Sequence, residues 1–437
     1  MRKLIVAALL IAATVVPAQT HATNNQSKDK LLFTLILSRH GVRPPLVAAS
    51  ELGLQSSAPW PAWEVPLGFL TPHGGAAIQQ MGAYMRLDLT RKGLLPAAGC
   101  PGSNEIYFYS DIDERNILSS RSTIAGLEPG CDALPVHTMV AGQHAKDSLF
   151  LPVPEFFPMP SAAAIAADRQ AALGNDPAAF FSLAKNPELK ELAGILAPDP
   201  AHPAARPILD DPRPLAAGAT LVEDFLLEYT DGKPMPEVGW GRVDASILRR
   251  LLPLHAKAFN LLMRTPLSAH VRGSNLMAHI LDTLEQAAQP EQTQNAHAVP
   301  YAVPGALGPV GTRLVYISGH DSNLCNIGGL LDLHWEADGV ADETPPDSQI
   351  VFELWQNPKS KQYSVRMLYR AQTLDQLRSG QALTLADPPA EVSLTPPGCR
   401  SGEHCPFAAF EKATRAVLDP AYIQRGQLPA QIAPPNP

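Results

Sequence analysis

Three short apolar segments, each followed at once by charged residues, constrain the fold of this chain more than any other feature. They are residues 31–38, 106–110 and 312–318. Continuous apolar runs of this length are typical of strands that are buried on both faces of a sheet. Because ligands of open α/β sheets bind beyond the carboxyl ends of the central strands, we expect the charged residues to meet at one edge.

Helical patterns follow the first two of these strands. Residues 71–92 place apolar side chains at helical spacing after Thr71 and Pro72, and a second helix is predicted from about 111 to 127. Residues 349–355 and 363–369 flank a turn and predict an antiparallel hairpin. The repeated strand–helix order predicts an α/β fold with a central, mainly parallel mixed sheet flanked by helices.

The middle of the chain has a different composition and helical patterns, which together predict an inserted domain. Between about residues 145 and 300 the sequence is rich in alanine and leucine, and its clearest helical patterns cover 246–264 and 274–286. We therefore predict an α/β domain from residues 23–145 and 300–437, with a helical cap domain inserted at 146–299. The proline-rich end of the chain, 433–437, is predicted to be disordered.

The N-terminus has the pattern of a secretory signal peptide. Arg2 and Lys3 precede an apolar run over residues 4–16, and the small residues Thr20 and Ala22 suit a cleavage site. That run is too short to span a bilayer comfortably, although a membrane anchor is the alternative. We predict a signal peptide over 1–22 and a periplasmic or secreted protein.

Composition excludes several classes of protein. The chain has 34 Lys and Arg against 42 Asp and Glu, a net charge of −8, and no basic run longer than a pair, which disfavours nucleic-acid binding. Hydrophobic residues make up 45% of the chain, which is too many for a disordered protein. After the signal peptide no apolar segment is long enough to cross a membrane, so no membrane partner is expected.

The ends of the three strands supply residues suited to a phosphoryl group. Arginine binds phosphate oxygens with two N–H groups and keeps its charge at any working pH, so several arginines neutralise a phosphate without a metal. The residues concerned are Arg39, His40 and Arg43 after the first strand, Arg115 after the second, and His320 and Asp321 after the third.

Two of these residues predict the chemistry. His40, surrounded by guanidinium groups, is expected to have a lowered pKa and to attack phosphorus as a neutral imidazole, which forms a phosphohistidine. Asp321 is expected to protonate the leaving oxygen and then to act as a base toward water. Since Asp321 must start protonated, the rate is predicted to peak in acid. Asp111 and Asp113 are predicted to cap the following helix rather than to take part.

Two motifs in the sequence resemble the signatures of the histidine acid phosphatases, in particular the bacterial periplasmic phytases and glucose-1-phosphatases. The first is Arg39-His40-Gly41-Val42-Arg43-x-Pro45 and the second is Gly319-His320-Asp321-Ser322-Asn323. Segments at 67–75, 111–115, 239–242 and 344–346 follow the order of the same family. The resemblance therefore extends over nearly the whole chain after the signal peptide.

The resemblance implies a role for each matched residue. His40 is the phosphorylated nucleophile, Asp321 is the proton donor, and the phosphate is held by Arg39, Arg43, Arg115 and His320. It also implies a helical domain over the cleft of an α/β domain, and no cofactor or metal. Relatives line the substrate side of the cleft at the positions of Glu237, His255 and Arg272, which are otherwise ordinary residues of helix surfaces.

The predicted export and the family resemblance both bear on the five cysteines. An exported protein favours disulfides, and no Cys-x-x-Cys pair or His-Glu-x-x-His helix indicates a metal site. The family's disulfide positions include matches for Cys100 with Cys131 and for Cys399 with Cys405. Those pairings leave Cys325, which we predict to be a buried, chemically inert thiol.

The identity of the substrate stays open. Bacterial phytases place a lysine that helps to bind the polyanionic inositol phosphate where this chain has Val47, and glucose-1-phosphatases carry asparagine in place of Gly41. The partner we predict is a small phosphomonoester, bound by a monomer. The alternatives are a phosphate-ester binding protein without turnover, a phosphoryl transferase like the phosphoglycerate mutases, and a metal-dependent phosphatase.

Overall fold

The computed structural model describes residues 29–435, apart from residues 103, 132–133, 141, 143–145, 176–180, 184, 200, 290–300 and 401–403. The predicted signal peptide at 1–22 lies outside these residues. The predicted domain boundaries at residues 23, 145, 299–300 and 437 also lie outside the described residues, and the division into domains stays a prediction.

A nine-stranded mixed sheet forms the centre of the molecule. Its strands are β1 Lys30–Arg39, β2 Ile106–Ser110, β3 Val136–Met139, β4 Leu314–Gly319, β7 Gln349–Gln356, β8 Tyr363–Ala371, β9 Ala390–Leu394, β10 Cys405–Pro406 and β11 Ala430–Ile432. The order is β10-β8-β7-β1-β4-β2-β3-β11, with β9 also paired to β8. The four central strands β1, β4, β2 and β3 are parallel, which confirms the predicted α/β class.

Antiparallel strands complete the sheet on both sides. The predicted hairpin is present as β7 and β8, and β7 pairs with β1. A separate two-stranded ribbon joins β5 Glu336–Ala337 and β6 Val340–Ala341.

Eleven α-helices are described along the chain. They are α1 Ala49–Leu52, α2 Pro72–Arg91, α3 Glu114–Leu127, α4 Ala162–Leu173, α5 Pro187–Leu196, α6 Pro214–Thr230, α7 Ala245–Met263, α8 Pro266–Ala287, α9 Asp321–Leu330, α10 Leu374–Ser379 and α11 Phe407–Val417. Short 3-10 helices cover Ile208–Asp210, Met235–Gly241 and Pro420–Tyr422. Helix α2 begins as expected, with the Thr71 side chain accepting from the Gly74 amide and Pro72 in the first turn.

Apolar cores lie on both faces of the sheet. Leu35 and Leu37 of β1 belong to a core shared with α8 and α9, whereas Ile36 belongs to a core shared with α2 and α3. This alternation is the two-residue period of a strand that is buried on both faces. The prediction for residues 31–38 is therefore correct.

A third core joins the helices between β3 and β4. It contains residues of α5, α6 and α7 together with Leu52 of α1 and Trp60 of the loop that follows α1. Helix α8, which the predicted boundaries place in the cap, instead packs Leu276 and Ile280 into the core of the sheet. It also begins at Pro266, eight residues before the predicted start, because Thr265 and Pro266 form its N-terminus.

The end of the chain differs from its prediction. We expected disorder over 433–437, of which residues 436–437 lie outside the described residues. Directly after β11, which pairs with β3, the Ala433 amide donates to the Val136 carbonyl at 2.8 Å. The Arg121 guanidinium donates to the carbonyls of Pro434 and Pro435. A strand edge and an arginine thus hold a segment whose composition alone suggests a loose tail.

The cysteines are arranged as predicted. Disulfides join Cys100 with Cys131 and Cys399 with Cys405, and Cys325 is a buried free thiol. Burial raises the pKa of the Cys325 thiol to about 12, which disfavours the reactive thiolate. No helix among the described residues is long and apolar enough to cross a membrane.

Candidate active site

The register of the central strands brings the three charged strand ends to one level. Arg39 at the end of β1 lies opposite Gly319 of β4, and Ser110 of β2 lies opposite Ser318 of β4. The ladder continues one residue further, because the His40 amide donates to the Gly319 carbonyl at 3.0 Å. Residues that follow β1, β2 and β4 therefore meet at the same edge of the sheet.

Arg39 is fully buried and is held from two sides. Its Nη1 donates to the Thr344 carbonyl at 2.6 Å, and its Nη2 lies 2.5 Å from Glu223 Oε1 and 3.0 Å from Asp321 Oδ2. The fixed fork of donors on a guanidinium makes such contacts orient its whole plane. Arg39 is thus set in place before any ligand binds.

Arg43 shares a carboxylate with Arg39. Its Nη2 lies 3.1 Å from the same Glu223 oxygen, and its Nη1 donates to the Pro44 carbonyl. Burial raises the pKa of Glu223, but Arg43 and Arg39 outweigh burial and bring this pKa to about 2. Glu223 therefore stays ionised in acid and keeps the two guanidinium groups together.

Arg115 is the second residue of α3, the helix that follows β2. Its Nη2 lies 2.5 Å from Asp113 Oδ2 and its Nη1 donates to the Gly68 carbonyl at 3.2 Å. Asp113 occupies the N-cap position of α3 as predicted, but its side chain makes no capping hydrogen bond there. The carboxylate orients Arg115 instead.

His40 is almost completely buried, and its hydrogen bond fixes its tautomer. Its Nδ1 lies 2.8 Å from the Gly41 carbonyl, and because a carbonyl can only accept, Nδ1 carries the proton. The lone pair is therefore on Nε2, which no hydrogen bond of the described residues uses. Burial, followed by the charges of Arg115, Arg39 and Arg43, lowers the pKa of His40 well below its usual value.

Gly41 leaves room for apolar side chains beside the nucleophile. A Cβ atom at Gly41 would lie 2.5 Å from Ile78 Cδ1 and 2.9 Å from Leu70 Cδ1. The Gly41 amide donates to Ser119 Oγ at 3.1 Å. Glycine at this position thus allows close packing against α2 and the loop before it.

His320 is paired with Asp111 across the strand ends. Its Nε2 donates to Asp111 Oδ2 at 2.6 Å, which leaves Nδ1 at 3.5 Å from Arg115 Nη2. The rings of His40 and His320 meet edge to face with their centroids 5.5 Å apart. Asp111, which we also predicted to cap α3, therefore contacts a histidine of the site.

Asp321 begins α9 directly after His320. Its Oδ1 accepts from the Ser322 amide at 2.6 Å, while its Oδ2 faces Arg39. The carboxyl group therefore lies at a helix N-terminus and within reach of the arginine cluster.

Three donors of the cluster lack partners among the described residues. They are the buried Nε atoms of Arg39, Arg43 and Arg115. Leaving a buried donor unsatisfied is costly unless a ligand or water satisfies it. Three guanidinium groups in one cluster are suited to bind an anion with several oxygens.

The three predicted cleft residues are placed differently from the cluster. His255 is buried on α7 with its Nδ1 2.9 Å from both oxygens of Glu343. Glu237 is exposed on the 3-10 helix Met235–Gly241, and Arg272 is half-buried on α8, where burial and then Arg169 lower its pKa. Within the described part of the chain, neither makes a hydrogen bond or ion pair with the arginine cluster.

His255 is linked to the site through charges. Burial lowers the pKa of His255, but the Glu343 carboxylate outweighs burial, so the net shift is upward. Glu343 also accepts from the Thr344 amide at 3.0 Å, and the Thr344 carbonyl binds Arg39. His255 thus supports the segment that holds Arg39.

Glu223 and Glu343 were missed by sequence reasoning. Both lie far along the chain from the arginines that they influence, so no local spacing reveals them. Glu223 does carry one signal, since Glu223 and Asp224 together interrupt a helix whose other residues from Leu221 to Leu227 are apolar and buried. A charged residue in such a run is expected to have a buried partner.

Three side chains at this edge of the sheet are close enough together to hold a metal ion. Asp111, Asp113 and His320 place one ligand atom each within 4.8 Å of one another. The sequence motifs for metal sites did not predict it, because its members come from two separate strand ends. In this structure Arg115 binds Asp113 and the His320 Nε2–H binds Asp111, so both carboxylates already have partners from the protein.

Comparison with known proteins is consistent with this geometry. Residues 30–370 match the family described as histidine phosphatase superfamily, branch 2. Phytase AppA of Escherichia coli K12 is 32% identical over 96% of this chain and 99% of its own length. A glucose-1-phosphatase of Salmonella typhimurium is 26% identical over 94% of this chain and 98% of its own length.

Solved phytase structures share the fold. The Hafnia alvei phytase in complex with tartrate aligns with a TM-score of 0.77 and 30% identity, covering 91% of this chain and 99% of that one. The Citrobacter braakii phytase also gives 0.77 and 30%, over 90% and 99%. Together with the family match over most of its length, these relatives show that the chain is a phosphatase and belongs to the histidine phosphatase superfamily, branch 2.

Proposed function

We propose that this phosphatase hydrolyses phosphomonoesters through a phosphohistidine formed on His40. The observation that carries the proposal is the His40 tautomer, with Nδ1–H donated to the Gly41 carbonyl and the lone pair on Nε2. Its lowered pKa keeps the imidazole neutral at acid pH values, at which an ordinary histidine is protonated. A buried neutral imidazole beside three guanidinium groups is suited to attack a bound phosphate.

In the first step the Nε2 lone pair of His40 forms a bond to phosphorus while the ester P–O bond breaks. The phosphate oxygens accept from the unpartnered Nε donors of Arg39, Arg43 and Arg115, which stabilise the charge on the transferring group. The Gly41 carbonyl stabilises the positive charge that develops on the imidazole. Asp321, starting as a carboxylic acid, gives its proton to the leaving oxygen, so the alcohol departs neutral.

In the second step water replaces His40 on phosphorus. The Asp321 carboxylate takes a proton from the water as its oxygen bonds to phosphorus, and the N–P bond breaks. Inorganic phosphate leaves, and His40 and Asp321 return to their starting states. His320, whose Nε2–H is held by Asp111, donates to a phosphate oxygen once its Nδ1 is protonated and no longer accepts from Arg115.

The test is to trap the intermediate. The protein is mixed with ³²P-labelled p-nitrophenyl phosphate at about pH 5, with and without EDTA, and is quenched in alkali, where an N–P bond persists. Label and turnover are expected in the wild type and in the exposed-site control His202→Ala, both surviving EDTA. His40→Ala is expected to fold and to show neither, so label or turnover in that variant would exclude His40 as the nucleophile.

Export of the chain is part of the proposal. It is supported by the pattern of residues 1–22 and by the two disulfides, which form in oxidising compartments. The intact mass of protein recovered from the periplasm or medium checks it, since the mass should lack residues 1–22.

A further inference from the structure

Three exposed apolar side chains lie on the two loops that meet beside Arg115. Leu46 is 60% exposed, Leu67 is 47% exposed and Phe69 is 40% exposed. A single exposed leucine is ordinary, but a group of apolar side chains around a binding site is informative. These three residues come from the loop after β1 and from the loop before α2.

The apolar rim touches the phosphate-binding arginine. The Gly68 carbonyl accepts from Arg115 Nη1, and a Cβ atom at Gly68 would lie 2.9 Å from Leu46 Cδ2 and 3.6 Å from Arg115 Nη1. Leu46, the Gly68 backbone and the Arg115 guanidinium therefore meet at one point. Leu67 and Phe69 flank Gly68 on either side.

Backbone hydrogen bonds hold the two loops together. The Thr71 amide donates to the Val42 carbonyl at 3.0 Å, and the Leu70 amide donates to Glu114 Oε2 at 2.9 Å. The Phe69 amide donates to the Pro66 carbonyl, which closes a turn around Leu67. The apolar rim is thus fixed relative to Arg115 by the backbone.

This rim offers no positive charge of its own. Residues 44–85 contain neither lysine nor arginine, and Val47, next to Leu46, packs against the apolar core of the cap. A polyanionic substrate gains affinity from cations placed outside the reacting phosphate. The loops that carry Leu46, Leu67 and Phe69 have no lysine or arginine to provide such cations.

We infer that the enzyme prefers phosphomonoesters whose organic group next to the phosphate is apolar, such as an alkyl or aryl chain, over polyanionic esters. The inference rests on the proposed phosphomonoesterase function. The phosphate binds among the arginines, and the hydrocarbon of the leaving group lies against Leu46, Leu67 and Phe69. Burying that hydrocarbon supplies binding free energy in proportion to its apolar area.

The experiment compares ethyl, butyl and hexyl phosphate at about pH 5. Their leaving alcohols have similar acidity, so the chemistry is constant while the apolar area changes. Full burial of a methylene corresponds to about a fourfold gain, and a rim open on one side should give about twofold per methylene. Hexyl phosphate has four more methylenes than ethyl phosphate, so the ratio of kcat/KM for hexyl to that for ethyl phosphate is expected to be about 16-fold.

Variants locate the effect. Leu46→Asn and, separately, Phe69→Ser should reduce the hexyl-to-ethyl ratio to about threefold or less, because a polar side chain replaces the apolar contact. Leu385→Asn, at a leucine 46% exposed, is the matched control and should keep the wild-type ratio. Each ratio is taken within one variant, so differences in folded fraction cancel.

Failure of the inference is distinct from failure of the proposed function. A flat response to chain length, or a kcat/KM for inositol hexakisphosphate above that for hexyl phosphate, would overturn the apolar preference while leaving the phosphatase in place. Hydrolysis of none of these esters would instead contradict the proposed function itself. A length response that survives both rim variants would overturn the assignment of the rim.

Discussion

At the scale of single residues, the arginines of the site are oriented by carboxylates from other parts of the chain. Glu223 binds both Arg39 and Arg43, and Asp113 binds Arg115. Each carboxylate takes up Nη donors while the Nε donors stay without partners. The protein therefore fixes the guanidinium planes and still leaves donors for a ligand, which is the preorganisation that transition-state stabilisation requires.

The proposed proton donor gives a prediction at this scale. Asp321→Asn should slow an alkyl phosphate by about 100-fold or more, because an alkoxide needs protonation as it leaves, whereas p-nitrophenyl phosphate should lose about tenfold or less. The measurement is kcat for both substrates in both proteins. Asp332→Asn, at an aspartate exposed elsewhere, is the control. Equal losses on the two substrates would show that Asp321 does not protonate the leaving group.

The sequence predicts best those site residues that directly follow a recognisable strand. His40, Arg43, His320 and Asp321 follow directly from strands, so the sequence predicted their common edge. Glu223 and Glu343 act across more than a hundred residues of sequence, and no local pattern connects them with Arg39. The roles of Asp111 and Asp113 were misjudged because an acidic residue before a helix is usually a cap, whereas here Asp113 binds Arg115 and Asp111 accepts from His320.

At the scale of elements, the crossing of α2 and α3 depends on glycine in both helices. A Cβ atom at Gly126 of α3 would lie 1.9 Å from the Gln79 carbonyl oxygen, and one at Gly82 of α2 would lie 2.3 Å from the Thr123 carbonyl oxygen. The contacts are with backbone atoms, which cannot rotate away. The close approach positions the start of α3, and with it Arg115.

This crossing predicts opposite effects for two similar substitutions. Gly126→Ala should lower the free energy of unfolding by about 3 kcal/mol, because the helices must move apart. Gly194→Ala on α5, where no atom lies within 4 Å of the added carbon, should raise it by about 0.5–1 kcal/mol through helix propensity. Urea unfolding of both variants checks this, and equal effects of the same sign would contradict the role of the crossing.

Helices and strands whose apolar residues recur at a regular spacing were predicted well. Those that form only through pairing with a distant strand were not. Strand β1 and helix α2 follow from apolar spacing and a capping threonine. Strand β11 follows from its pairing with β3 alone, since three residues before a proline-rich end have no strand signal. The early start of α8 was hidden because the weakly apolar residues 266–273 are fixed by packing rather than by their pattern.

At the scale of the whole molecule, buried carboxyl groups determine how stability depends on pH. Burial raises the pKa of Asp147 to about 7 and that of Glu228 to about 8. Between about pH 4 and pH 8 the folded protein keeps protons that the unfolded chain releases, so stability falls as pH rises. Glu223 acts in the opposite sense, and its contribution is lost as pH falls below its usual range toward 2.

Glu228 provides the test. In the wild type its share of the free energy of unfolding should fall by on the order of 3 kcal/mol between pH 5 and pH 8. Glu228→Gln mimics the protonated acid and can still accept from the Gly239 amide, so it should remove that loss and raise Tm at pH 8. Glu155→Gln, at an exposed position, should not change the pH dependence. A variant that loses as much stability as the wild type would refute this role.

The position of β1 in the sheet has a consequence for how the chain reaches its native state. Leu35 of β1 pairs with Val315 on one side and with Phe352 on the other, so the two neighbours of this strand are synthesised 280 and 317 residues later. Such non-local pairing slows folding, because a long loop must close before the contacts form. The apolar segment at 31–38 is therefore exposed from early in synthesis until late in folding. Until β4 and β7 are in place, this unpaired apolar strand is therefore the part of the chain most prone to aggregation.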